Sequence, residues 1–245
     1  MIIKFLASLR ITVACLFLLF ILTFWGTIAQ VHQGLYAAQD RFFNSFFFLA
    51  GGFIPFPGAQ LVLWVLFVNL ISSLVLTFRK YTQWANIGLL IIHLGLILYF
   101  AAAFMIFHFA QESSVRLAEG EETNISVSYQ PVFKRYLLPF TIRLDHFKAA
   151  FHPGTDVAKS FESTVTITTG ALQRQVRIYM NNPLRYKDYT VYQASYDTDS
   201  TGKQYSTLAV VKNFAKFLPY MACFAVFFGL ALHFLIQAFI AKAKL

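Results

Sequence analysis

The chain has 245 residues, of which 58% are hydrophobic and only 13% charged, with 29 phenylalanines and a formal net charge of +9. No single soluble core of that length hides so much apolar surface, so the composition excludes a soluble globular domain and points to the lipid bilayer. The basic residues form neither one face nor a tail, which argues against a nucleic-acid partner.

Taken in chain order, apolar runs near the roughly 20 residues that a bilayer requires predict four transmembrane helices, at Ser8 to Ile28, Ala59 to Phe78, Ile87 to Phe107 and Phe217 to Ile240. Lys4, Arg10, Arg79, Lys80, Lys242 and Lys244 all flank these runs on one side, as the positive-inside rule asks of cytoplasmic segments. Both termini are therefore expected in the cytoplasm, with 29–58 and 108–216 outside. Arg41, beside Asp40, is the exception. A rival for the first helix is a cleavable signal peptide ending near Thr27-Ile-Ala29. The aromatic stretch from Phe42 to Pro57 is too short and too broken by glycine and proline to span, and is expected to lie in the outer interface.

The segment after the third helix changes character and becomes rich in serine, threonine and tyrosine with period-two alternation. Ser163 to Thr169 and Gln175 to Met180 read as a hairpin about Gly170. Further strands are expected at Phe140 to Phe147, Thr190 to Tyr196 and Ser206 to Val211, with turns at His152-Pro-Gly154, Asn181-Asn-Pro183 and Asp197 to Gly202. The predicted fold class is thus an integral membrane α-helical protein of four transmembrane helices with one extracytoplasmic antiparallel β-rich domain. Its divisions are 1–108, a membrane domain with three helices and the interfacial segment; 109–216, the β-rich domain; and 217–245, the fourth helix and a short tail. Cys15 and Cys223 both fall in predicted spans, so the outer domain is expected to stand without a disulfide.

Self-sufficient catalytic patterns are missing: no Gly-x-Ser-x-Gly elbow, no His-Glu-x-x-His and no phosphate-binding glycine loop. The histidines carry what signal there is. His93 sits inside the third span, where a titratable imidazole needs a hydrogen-bond partner, a cavity or a metal, and neutral imidazole is a common haem ligand. Interhelical hydrogen bonding is the alternative reading of the same residue. Counting from the inner ends of their helices puts His93 about 10 Å and His233 about 12 Å deep, at a shared level. His32 and His108 lie just past outer helix ends, and His146 and His152 belong to the β-rich segment. Read alone, these positions also suit a b-type haem electron-transfer subunit.

Ser8-Leu-Arg-Ile-Thr-Val, Trp25-Gly-Thr-Ile-Ala-Gln30, Phe56-Pro-Gly58, Leu89-Leu-Ile-Ile-His-Leu-Gly-Leu-Ile97, Leu117-Ala-Glu-Gly120, Pro139-Phe-Thr-Ile-Arg-Leu-Asp145 and Asn182-Pro-Leu-Arg-Tyr-Lys-Asp-Tyr-Thr-Val-Tyr-Gln-Ala-Ser-Tyr196 occur in an order that resembles the ResB/CcsB family. The resemblance implies the System II route of cytochrome c maturation, in which such a protein works with a CcsA/ResC-type membrane partner as part of a cytochrome c synthase, or haem lyase, complex. It implies that haem b in transit is shared with that partner, that apocytochrome c is the acceptor, and that His93 is an axial ligand to the haem iron. His233 and His108 are weaker candidates for cofactor contact. The resemblance also implies a bacterial inner membrane rather than a thylakoid. The outer domain would help position the apocytochrome, by adding a strand or by presenting the loop Asn181 to Lys187. That domain is much shorter here than in many relatives.

Overall fold

The computed structural model describes residues 2–81, 83–128, 132–154 and 158–243. Lys244 and the side chain of Arg79, both used above for topology, lie outside what is described. The chain divides into two compact units, residues 1–103 with 218–245, and residues 104–217.

The first unit holds the four helices long and apolar enough to cross a membrane: α2 (Leu9–Gln33), α4 (Ala59–Tyr81), α5 (Ile87–Phe109, entered through the 3-10 turn Trp84–Asn86) and α6 (Leu218–Lys242). Short helices α1 (Ile2–Leu6) and α3 (Leu35–Phe42) flank α2. Ser8 starts α2 by accepting a hydrogen bond from the Arg10 amide, and Gly34, at φ 82°, ends it.

The buried positions of α5 and α6 recur every seventh residue, Gly88, Gly95 and Ala102 on α5 and Ala222, Gly229 and Ile236 on α6; α2 shows the same spacing at Cys15, Leu22 and Ala29, with Gly26 buried as well. A seven-residue repeat keeps one stripe of a helix against its neighbour, and small residues on that stripe let backbones approach without a hydrophobic driving force. Between the antiparallel α5 and α6 the approach is close enough that a Cβ on Gly229 would lie 2.9 Å from both the Gly88 carbonyl oxygen and the Ile92 nitrogen. Leu and Phe side chains such as Phe20, Phe24, Phe224, Phe227 and Phe239 are left exposed on the outside of these helices, the surface that lipid covers.

The aromatic stretch between α3 and α4 is a hairpin, β1 (Phe47–Ala50) with β2 (Ile54–Pro57), where an irregular interfacial segment was expected. Trp25 of α2 gathers Phe42, Phe48 and Phe56 around it at ring separations of 5.4 to 5.8 Å. Arg41 stands 5.6 Å over the rings of both Phe42 and Phe48 and donates to the Leu49 carbonyl oxygen at 2.7 Å. The one basic residue that breaks the charge pattern therefore has a local reason to be there.

The second unit is an antiparallel sheet of eight strands: β3 (Gln111–Ala118), β4 (Glu122–Ser128), β5 (Lys134–Phe151), β6 (Ala158–Thr169), β7 (Leu172–Ile178), β8 (Leu184–Tyr186), β9 (Tyr189–Thr198) and β10 (Gln204–Lys212). Their order is β7-β6-β5-β4-β3-β10-β9-β8. The sheet curls until its end strands β7 and β8 meet at one isolated bridge, Tyr179 to Asn182, so it is nearly closed. Val115, Phe140, Ile142, Leu144, Val165, Ile178, Val191 and Leu208 are among the residues that fill its interior. The three further strands and the first arm of the predicted hairpin lie within observed strands, while its second arm overruns β7 by Tyr179 and Met180, which enter the turn to β8; β3, β4 and β8 are additional.

Along β5 the buried side chains are Leu138, Phe140, Ile142 and Leu144, then Phe147. The phase changes because the pairing with β6 shifts between Leu144 and His146, a bulge that bends the strand and lets the sheet close. Asp145 sits at that bulge with its side chain 16% exposed. Its carboxylate takes hydrogen bonds from Thr166 (2.5 Å), Gln175 (3.1 Å) and Arg143 (2.8 Å). Burial pushes its pKa up, but these three donors and the Arg143 charge outweigh burial and leave it below the ordinary value.

Two outcomes are expected. Alanine normally stabilises a helix interior relative to glycine by about 1 kcal/mol, yet Gly229→Ala should lower stability by about 1–3 kcal/mol, because its Cβ meets backbone that cannot turn aside. Thermal unfolding in nanodiscs reads the sign, and a stabilised variant contradicts the close α5–α6 contact. A carboxylate with a depressed folded pKa contributes stability above its unfolded value, about 3.9, and loses it as pH falls through the lower folded value. Asp145→Asn should thus weaken hydrogen-exchange protection of β5 and β6 at pH 7 and differ little from wild type near pH 2.

Candidate functional site

His93 lies in the second full turn of α5, and its Nδ1 is 2.8 Å from the Leu89 carbonyl oxygen one turn earlier. A carbonyl accepts only, so Nδ1 carries the proton and the lone pair of the neutral ring is on Nε2, the arrangement found in metal-bound histidines. The side chain is half-buried. It falls seven residues before Phe100, whose ring meets Phe67 of α4 at 5.5 Å, so His93 belongs to the stripe of α5 that faces α4. The Gly88 and Gly95 stripe faces α6 instead.

His233 is placed differently from the shared depth read in the sequence. A Cβ at Gly88 would lie 2.6 Å from the His233 Cβ, so His233 is level with Gly88. That is five residues, or about 7.5 Å at 1.5 Å per residue, from His93 along α5. The cause is that α5 and α6 are not flush: α6 runs on to Lys242 beyond that level. The two imidazoles therefore occupy different faces of α5 as well as different depths. The Nδ1 of His233 is buried with no hydrogen-bond partner, which is costly in an apolar setting.

His108 is exposed at the end of α5 among Phe104, Phe107 and Phe109, with its ring 4.3 Å from that of Phe104. His32 is exposed near the end of α2. In the β unit, His146 places Nδ1 2.8 Å from Glu119 Oε1 and is 67% exposed. Among the described residues no group of three His, Cys, Asp or Glu side chains could hold a metal ion. What the helices do offer iron is a single oriented imidazole, His93, on a span with no carboxylate. This fits haem, whose porphyrin fills the equatorial positions and asks the protein for axial ligands alone.

Polar residues that sequence reasoning passed over prove structural. Asn69, buried in α4, accepts from the Thr12 hydroxyl at 2.8 Å and donates to the carbonyls of Leu6 (2.5 Å) and Ser8 (3.1 Å), tying the start of α2 to α4. Gln237 donates to the Ala85 carbonyl at 2.8 Å, tying α6 to the turn before α5. An amide inside a predicted span was the available signal for both. The Leu117 to Gly120 and Pro139 to Asp145 motifs meet at the β5 bulge. Glu119 accepts from the Phe147 amide at 2.6 Å, and the Gly120 amide donates to the Leu144 carbonyl at 2.7 Å. These motifs hold the sheet together at its bend.

A model of the ResB-like family matches residues 78–203, just over half of the chain. Among solved structures, a chain described as the cytochrome c haem lyase CcmF aligns with 92% of this chain at 14% sequence identity and a TM-score of 0.38. The alignment covers 34% of that chain, so the present one spans about a third of its length. A likeness that slight carries nothing about activity. No curated protein sequence matches significantly.

Proposed function

The chain belongs to the ResB-like family, and on that premise we propose that it is a membrane subunit of a System II cytochrome c maturation complex. It holds haem b within the membrane together with a CcsA/ResC-type partner and assists its passage to apocytochrome c. The observation that carries this reading is His93, an imidazole whose Nδ1–H donates to the Leu89 carbonyl, inside the span matched by the family. Haem iron accepts an imidazole nitrogen as an axial ligand.

The roles of the chain's own residues follow from that placement. The Leu89 carbonyl holds the Nδ1–H of His93 and so fixes the rotamer of the ring. The apolar α5 excludes water around it and keeps competing ligands away. The partner would supply the other nitrogen needed to hold the haem and would carry, with the rest of the complex, the chemistry of covalent attachment. The β domain stands on the outer side of a bacterial inner membrane, with both termini in the cytoplasm, where it handles the acceptor polypeptide. A b-type electron-transfer subunit is the alternative, and the separate faces and depths of His93 and His233 weigh against a haem clamped between them.

His93→Ala should remove most haem from the complex purified with its partner and stop cytochrome c maturation, read by absorbance and haem staining. Added imidazole should restore part of the haem, because the vacated space matches the lost ring; wild-type haem content in the variant overturns the assignment. Cysteine labelling from the cytoplasmic side should reach both termini. An outward-facing C-terminus contradicts the proposed orientation, whatever the fate of His93.

A further inference from the structure

The end strands of the β sheet are joined by the turn Tyr179 to Asn182, whose bridge is the one backbone pairing between them among the described residues. Asn181 takes a left-handed conformation, φ 62°, and Pro183, next in line, has no N–H to extend the ladder. The Arg177 carbonyl is met by the Asn182 side-chain amide at 3.1 Å instead. From that turn β7 and β8 splay apart, each with one edge of N–H and C=O groups unpaired by a strand. A cleft of about 420 Å³ opens between them, lined by Arg174, Val176, Asn181, Asn182, Pro183, Leu184 and Arg185.

Two arginines and no carboxylate line this cleft. Elsewhere on the sheet Arg116, Arg143 and Arg177 are paired with Asp197, Asp145 and Glu162. Among the described residues Arg174 and Arg185 meet no such partner. A guanidinium suits carboxylate recognition because its planar fork donates two parallel hydrogen bonds. Arg174 shares the inward face of β7 with Val176, whereas Arg185 lies on the face of β8 opposite the buried Leu184, so the two charges stand on the two sides of the seam. Unpaired strand edges and uncommitted positive charge on both faces of the seam together specify an extended chain that carries acidic side chains on both of its own faces.

We propose that the seam between β7 and β8 is a docking slot for an extended acidic segment of a partner polypeptide, which adds to the sheet as a strand and places carboxylates on Arg174 and Arg185. The inference deepens the role given above to the β domain by naming where and by what chemistry a polypeptide is held. Its test needs no haem, so its failure and the failure of the His93 assignment are separate events.

The full chain in lipid nanodiscs is titrated into fluorescein-labelled octapeptides of the repeat Val-Val-Glu-Glu, Val-Val-Gln-Gln or Val-Val-Lys-Lys, whose adjacent polar residues point to both faces of a strand, and anisotropy is read. The glutamate peptide should bind at least about tenfold more tightly than either of the others, a difference of about 1.4 kcal/mol. It should slow amide exchange in Leu172 to Arg177. The double variant Arg174→Gln with Arg185→Gln should lose about tenfold or more in affinity while exchange in β5 stays as in wild type. Equal binding by the three peptides, or by the double variant, overturns the proposal. So does displacement by inorganic phosphate at the peptide's own concentration, which marks a small-anion site. Absence of peptide binding, with self-association of the double variant, overturns it too, and makes the arginines guards against edge-to-edge pairing.

Discussion

The contact that sets the geometry of the helical unit is the backbone-to-backbone approach of α5 and α6 at Gly88 and Gly229. In lipid, apolar side chains gain nothing by leaving the solvent, so helices hold together through close van der Waals packing and a few hydrogen bonds. Once the Gly88 stripe is committed to α6, the 100° step of the helix decides where every other residue of α5 looks. His93, five residues on, is turned toward α4. His233, on the other helix, is left against the Gly88 backbone with its Nδ1 unsatisfied. That the two imidazoles look in different directions is thus a consequence of where the glycines of α5 and α6 fall.

The spans were legible because their signal is composition and length, which tertiary contacts do not alter. The fold class and the period-two strands at Ser163 to Met180 were legible for the same reason. What escaped was whatever depends on partners distant in sequence. The β1–β2 hairpin is held by Trp25, about twenty residues upstream, and local glycine and proline content disguises it. β3 carries only Val115, Leu117 and Ala118 as buried residues, too sparse an alternation to stand out among serines and glutamates. β5 hides its true length because the bulge at Asp145 resets the inward phase. The depth of His233 was misjudged by counting from helix ends, which assumes neighbouring helices end together. His93 stood out because a lone imidazole in an apolar run is conspicuous, whereas its orientation relative to α4 required the packed helices.

Two of the sequence motifs that carried the family resemblance turn out to act on each other. Glu119 and Gly120 grip the backbone of Leu144 and Phe147, and Asp145 between them anchors Thr166 and Gln175 on the next two strands. A bulge leaves ladder groups without their regular partners, and these carboxylates satisfy or replace those bonds. Motif residues of this kind serve to close a sheet and need not touch a ligand.

The β domain pairs its first strand with its last: β3 and β10 run together from Gln111 opposite Lys212 to Ala118 opposite Tyr205. This seam joins segments about a hundred residues apart, and loop closure over that span must be made before the pairing returns any enthalpy. During synthesis β3 therefore leaves the ribosome long before its partner exists, and its open edge has to wait through the making of six other strands. Closure can begin only as the chain reaches the start of α6, so insertion of the fourth helix and completion of the sheet fall close together in time. The interval before it is when this domain is most exposed to mispairing, and a pause or chaperone acting between β9 and α6 would have the greatest leverage on yield.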